Sequence, residues 1–218
     1  MPIIAKNNGV QRDPVPAGMH VARCYSIVEI GTVTQEIKGT LKSLYKIQIT
    51  WELPNIKKVF TPEKGEQPLV ISEDYNLSMY GQSNLRKMIE SWRGKGFTDD
   101  EANKFDVSTL IGVPCMVNII NKPSADGQKV YSDITGVMRM PKEIVAPHQC
   151  NKSVILCYDN FDTALFESLP LFLKAKIMAT PEYAAMINKA AGSVHGVTPM
   201  PPAPRPEDIT EPIDDLPF

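Results

Sequence analysis

Apolar and polar residues alternate most cleanly between Leu41 and Leu53. Tyr45, Ile47, Ile49, Trp51 and Leu53 fall on one side, and Lys42, Lys46, Gln48, Thr50 and Glu52 on the other. A period of two with one apolar side predicts a half-buried antiparallel strand. Residues 19–33, rich in Val, Ile, Tyr and Cys, predict a long strand before it, and residues 69–80 a third strand after it. Between them, residues 55–68 carry Pro62, Gly65 and Pro68 among charges and read as a loop. Over residues 82–93 the period changes: Leu85, Met88, Ile89 and Trp92 share a helical face, and Ser83 is placed as an N-cap. Thr98 followed by Glu101 forms a capping box that announces a second short helix. Residues 107–121 and 129–140 predict two more strands, joined by a turn containing Pro123 and Asp126-Gly127.

Strand, strand, strand, helix, strand, strand is the order of an OB-fold, a small Greek-key barrel that binds ligands on its middle strands between two rim loops. The expected class is therefore mainly β with added helices. Four regions follow: a flexible N-terminal arm over 1–18, the barrel over 19–150, a helical extension over 151–192 and a disordered tail over 193–218. In the extension, Leu165, Leu169, Leu173 and Ile177 mark an apolar face, and Pro170 and Pro181 break the helix. Such a face either packs back on the barrel or mediates self-association, so a homo-oligomer stays open.

Charge separates the tail from the rest. Residues 1–192 carry 22 Lys or Arg against 20 Asp or Glu, whereas residues 193–218 carry one against five. From Pro199 to Phe218 there are seven prolines and no glycine, a composition that buries too little apolar surface to offset its ordering entropy. The last five residues, Asp214, Asp215, Leu216, Pro217 and Phe218, combine two carboxylates with an aromatic ring that bears the terminal carboxylate. A basic surface steers the acids, an apolar pocket takes the ring, and an Arg, a Lys or a backbone nest pairs the terminus. A partner-binding tip is the expectation. With no apolar run of membrane-spanning length and no leader-like start, a soluble cytoplasmic protein with no membrane partner is expected.

No enzymatic constellation stands out. His20, His148 and His195 are scattered, and there is neither an HExxH, a Ser-centred motif nor a phosphate-cradling glycine pattern. Of the four cysteines, Cys24 and Cys115 sit in apolar strand-like segments as small hydrophobes. His148, Cys150 and Cys157 supply three potential zinc ligands where a structural site needs four. The expectation is no catalysis, no cofactor and no metal.

An OB-fold sheet that holds an oligonucleotide without reading its sequence needs cations along the phosphates and aromatic faces for the bases. The candidates are Arg23 and Tyr25 on the first strand, Lys42, Lys46 and Gln48 on the polar side of the second, Tyr75 and Tyr80 on the third, and Lys129 and Tyr131 entering the last. Arg86, Lys87, Arg93 and Lys95 extend a basic helix, while Trp51 and Trp92 lie on apolar sides and belong to the core.

Several blocks carry a family resemblance: Val21-Ala22-Arg23-Cys24-Tyr25, Trp51-Glu52-Leu53-Pro54, Asn84-Leu85-Arg86-Lys87, Glu90-Ser91-Trp92-Arg93-Gly94 and Phe166-Glu167-Ser168-Leu169-Pro170. Together they resemble phage and prophage single-stranded DNA-binding proteins of OB-fold type, across roughly residues 17–183. The acidic tip ending in Pro-Phe is similar to that of bacterial single-stranded DNA-binding proteins. The resemblance implies non-specific binding and protection of single-stranded DNA, and recruitment of replication, recombination or repair proteins through the tip. The alternative is an OB-fold interaction protein, a recombination mediator or inhibitor whose acidic tail mimics nucleic acid; the near-neutral body keeps it open.

Overall fold

The computed structural model describes residues 14–124, 127 and 129–193. Six strands, β1 (Gly18–Ile37), β2 (Thr40–Val59), β3 (Glu66–Asn76), β4 (Pro114–Pro123), β5 (Val130–Met138) and β6 (Val154–Leu156), form one sheet. Five run antiparallel in the order β3-β2-β1-β4-β5, and short β6 pairs parallel with β1. Two helices, α1 (Asn84–Arg93) and α2 (Asp99–Asn103), stand between β3 and β4; α3 (Thr163–Ser168), α4 (Leu171–Met178) and α5 (Pro181–Ser193) follow β6. The chain divides into two compact units, Met1–Ala184 and Ala185–Phe218, the second described only over the remainder of α5. Among the described residues no helix is long and apolar enough to cross a membrane.

Local signals place the first two helices as expected. Ser83 caps α1 by accepting the Arg86 amide, and Gly94 closes it in the left-handed conformation. The Thr98–Glu101 capping box opens α2. Strand β2 is longer than its pattern: it runs through Pro54 to Val59, so the expected loop over 55–68 contracts to a turn around residues 60–65. Pro54 lacks an N–H for the ladder, and the β2–β3 register shifts between Leu53 and Lys57, the bulge position where a strand tolerates proline.

The main core lies inside the curved sheet. Ile47, Ile49, Trp51 and Leu53 of β2 are at most 1 % exposed and pack with Cys24, Ile71, Val117 and Val137 under Leu85, Ile89 and Trp92 of α1. Trp51 and Trp92 sit 6.0 Å apart, so both tryptophans are core residues, as expected.

The opposite side of β2 departs from expectation. Gln48, Thr50 and Glu52 are 5 %, 6 % and 0 % exposed. A second layer covers them, built from the chain after β5. There Val28 and Ile30 of β1 pack with Leu156, Phe166, Leu173 and Ile177. The buried polar groups are paired: Gln48 donates to Asp74 (2.8 Å), Thr50 meets Ser72 (2.9 Å), and Glu52 accepts the amides of Cys150 and Asn151 and the Asn151 side chain, each at 2.7 Å. Alternation along a strand distinguishes its two sides but not water from a polar, hydrogen-bonded layer. Up to Ala184, the expected helical extension therefore belongs to the same compact unit as the strands.

Candidate nucleic-acid interface

Burial decides the fate of several candidates on β1, β2 and β3, Gln48 on the covered side and Tyr75 in the main core. Gln48 is buried against Asp74, and Tyr75 is 6 % exposed with its hydroxyl donated to Glu73 (2.7 Å). Burial pushes the Tyr75 phenol well above its usual range, with the Glu73 charge adding to the shift. Neither presents a face to a ligand, so both expectations are corrected. Arg23 is half-buried and spends its guanidinium on backbone: it donates to the Gly112 carbonyl and twice to that of Pro147, at 3.2 and 2.7 Å. Arg23 thus fastens the connection after β5. Tyr25, at a register shift of β1, is half-buried, and burial raises its phenol, with Glu52 next in effect. Lys42 is exposed near the β1–β2 turn, and half-buried Lys46 lies four positions further along β2, donating to Gln35 (2.6 Å).

The basic helix is also partly structural. Arg86 ties Glu90, Asp99 and the carbonyls of Met79 and Phe97 together, and the Arg93 guanidinium lies 3.9 Å from the centre of the Phe97 ring. Among the described residues no group of three or more His, Cys, Asp or Glu is arranged to hold a metal ion. The expected tip over 214–218 lies outside the described residues.

The remaining candidates concentrate elsewhere. Strands β2 and β4 both run antiparallel to β1 and therefore parallel to each other, flanking it. Arg23 faces Glu52 on one side, and Gly18 faces Ile119 on the other, so both flanking strands run on past the start of β1. Their hairpins then project from the same end of the sheet. The β2–β3 arm carries Lys57, Lys58, Phe60 and Lys64, with Phe60 51 % exposed. The β4–β5 arm carries Lys122, Lys129 and Tyr131, with Tyr131 56 % exposed and paired across the ladder with Lys122. Lys122 holds an exposed ion pair with Asp133 at 2.5 Å. Exposed Met19 of β1 lies between the two arms.

Tyr131 and Lys129 thus stay at a surface with cationic neighbours, while Tyr80, 73 % exposed, sits apart in the β3–α1 connection. The β2–β3 arm was missed because proline, glycine and charge over 55–68 hide its strand ends. The available signal was Lys57-Lys58-Val59-Phe60, two cations beside an aromatic. Comparison with protein-family models and with curated proteins finds no match to this chain.

Proposed function

We propose that this chain is a single-stranded DNA-binding protein of OB-fold type, holding the strand without sequence preference between its two projecting arms. The observation that carries the reading is that Phe60 and Tyr131, each exposed and accompanied by lysines, stand on hairpins at the same end of the sheet. Stacking platforms beside cations are what a sequence-tolerant single-strand binder needs. The strand order supports the barrel type: β3 and β5 end the sheet, as the two strands facing each other across a partly open OB barrel do, and α1 lies between β3 and β4 in sequence. Binding protects the strand stoichiometrically, and the acidic tip over 214–218 recruits replication, recombination or repair proteins.

A protein-interaction role is the second reading, favoured by one observation. Leu171, Phe172 and Met178 of α4 are 81 %, 51 % and 56 % exposed, an apolar surface with no use in holding a strand.

Titration of fluorescent dT oligonucleotides at two salt concentrations separates the two. The DNA reading expects single strands to bind far more tightly than duplex, with log affinity falling by about 0.7 per phosphate neutralised for each unit of log salt. Phe60→Ala and Tyr131→Ala each weaken binding by about 1–3 kcal/mol if a base stacks there. Equal affinity for duplex, or full affinity in the double variant, overturns the reading.

A further inference from the structure

A cleft of ≈ 640 Å³ opens where the β1–β2 hairpin meets β3 and the junction of α4 and α5. Its volume falls in the range of small-ligand sites. One wall is apolar, formed by Val33, Ala179 and Pro181 above the buried Ile30. The other side carries two ammonium groups and one carboxylate. Lys176 donates to Asp74 Oδ2 (2.6 Å), while Asp74 Oδ1 accepts from Gln48 (2.8 Å), so both carboxylate oxygens are engaged. Lys46 is different: its hydrogen bond goes to the neutral amide oxygen of Gln35. It is half-buried beside the cleft and, among the described residues, no carboxylate is bonded to its Nζ; the lining cations outnumber the lining acid two to one. The hydroxyls of Thr34 and Ser43, 3.1 Å apart, stand on the same lining. The nearby Glu182 carboxylate is occupied by the backbone amide and hydroxyl of Thr32.

We infer that this cleft binds a small organic phosphate, with the phosphate met by Lys46 and Lys176 and an apolar or aromatic body laid against Val33, Ala179 and Pro181. A phosphate monoester fits better than a carboxylate, because its three oxygens reach both ammonium groups and the hydroxyl donors together. An aromatic body suits the apolar wall, so a nucleoside monophosphate combines both requirements. The source is either a free nucleotide or the 5′-phosphorylated end of a strand. The cleft stands on the β1–β2 hairpin side of the sheet, away from the start of β1 where the two arms project. The inference therefore stands independently of DNA binding by the arms.

The test is calorimetric titration of the full chain with dTMP, thymidine and inorganic phosphate, repeated with Lys46→Met and with Ala179→Leu, which narrows the cleft from an exposed position. The expected result is dTMP binding at least tenfold tighter than either thymidine or phosphate, and at least a tenfold loss in each variant. A matched pair of oligo(dT) strands, one 5′-phosphorylated and one not, distinguishes the sources. If the pair binds equally while dTMP binds in the cleft, the ligand is a free nucleotide; if the phosphorylated strand gains affinity that Lys46→Met removes, it is a strand end. Undetectable dTMP binding, equal binding of thymidine, or full dTMP affinity in both variants overturns the inference. The Phe60→Ala and Tyr131→Ala double variant should lose strand binding and keep dTMP binding, so failure at the arms and failure at the cleft read differently.

Discussion

Gly31→Ala tests how the last part of the first compact unit is fastened to β1. Gly31 is buried in β1 with φ +103°, a conformation L side chains rarely adopt. A Cβ there would lie 2.7 Å from Glu182 Oε2 and 2.9 Å from Thr180 Oγ1. The backbone strain alone costs about 1–3 kcal/mol. The methyl also pushes the Glu182 carboxylate off Thr32, whose amide and hydroxyl donate to it at 2.8 and 2.5 Å. Charge-assisted bonds contribute about 1.5–3 kcal/mol each, and the half-exposed position of Glu182 puts them at or below the low end. The expected loss is about 4 kcal/mol, measured by urea unfolding as a lower midpoint with an unchanged slope. In a Glu182→Ala background the same substitution should cost less by about 1.5–2 kcal/mol, because the displaced bonds are already gone. Additivity within about 0.5 kcal/mol would refute the contact as the cause; a stable Gly31→Ala would refute the strain as well.

Other outcomes follow from the thiols and carboxylates. Burial pushes the Cys24 thiol up to about 12 and Cys115 well above its ordinary value, whereas Cys150 is exposed and Cys157 half-buried. Mass-spectrometric labelling with iodoacetamide at pH 8 should therefore modify Cys150 first and Cys157 next, and reach Cys24 and Cys115 only in denaturant. Glu182 is raised by burial but held below 4.5 overall by the Thr32 bonds, and Glu90 is held low first by the Phe97 amide and then by Arg86. A depressed carboxyl contributes stability above its unfolded value that is lost as pH falls through the folded one. Acid titration monitored by circular dichroism should show stability declining below pH 4.5, with a smaller decline in Glu182→Gln. Glu73 runs the other way: burial raises it, so its charge is a penalty above 4.5, and Glu73→Gln should gain stability at pH 7 and nothing at pH 3.

Short-range signals were legible in the sequence and layer assignments were not. Ser83, the Thr98–Glu101 box and the row from Ile47 to Leu53 act within one or two turns or along one strand, so pattern alone locates them. The polar row of β2 follows the same period, yet Gln48 and Thr50 are met by β3 and Glu52 by Cys150 and Asn151, about a hundred residues away. No local rule says whether a Gln or Glu faces water or a distant amide. The candidate site suffered accordingly: Gln48 and Tyr75 are enclosed, Arg23 is spent on two carbonyls, and Tyr131 with Lys129 stays at the surface. Pro62, Gly65 and Pro68 misled in the opposite sense, because β2 runs on through a bulge to Val59 and β3 begins at Glu66, before Pro68.

The parallel pairing of β6 with β1 also constrains the order of events during synthesis. β1 and β2 are joined by a tight turn and can zip as soon as both have left the ribosome. The outer side of β1 must wait: the Tyr158 hydroxyl that reaches the Ile30 carbonyl comes 128 residues later. At about 5–20 residues per second that interval is roughly 6–26 s. Throughout it Val28 and Ile30 stand uncovered on a nascent hairpin whose other side is equally apolar. Such a hairpin exposes adhesive surface on both sides, and its yield in the cell depends on what shields it until Leu156, Phe166 and Ile177 arrive.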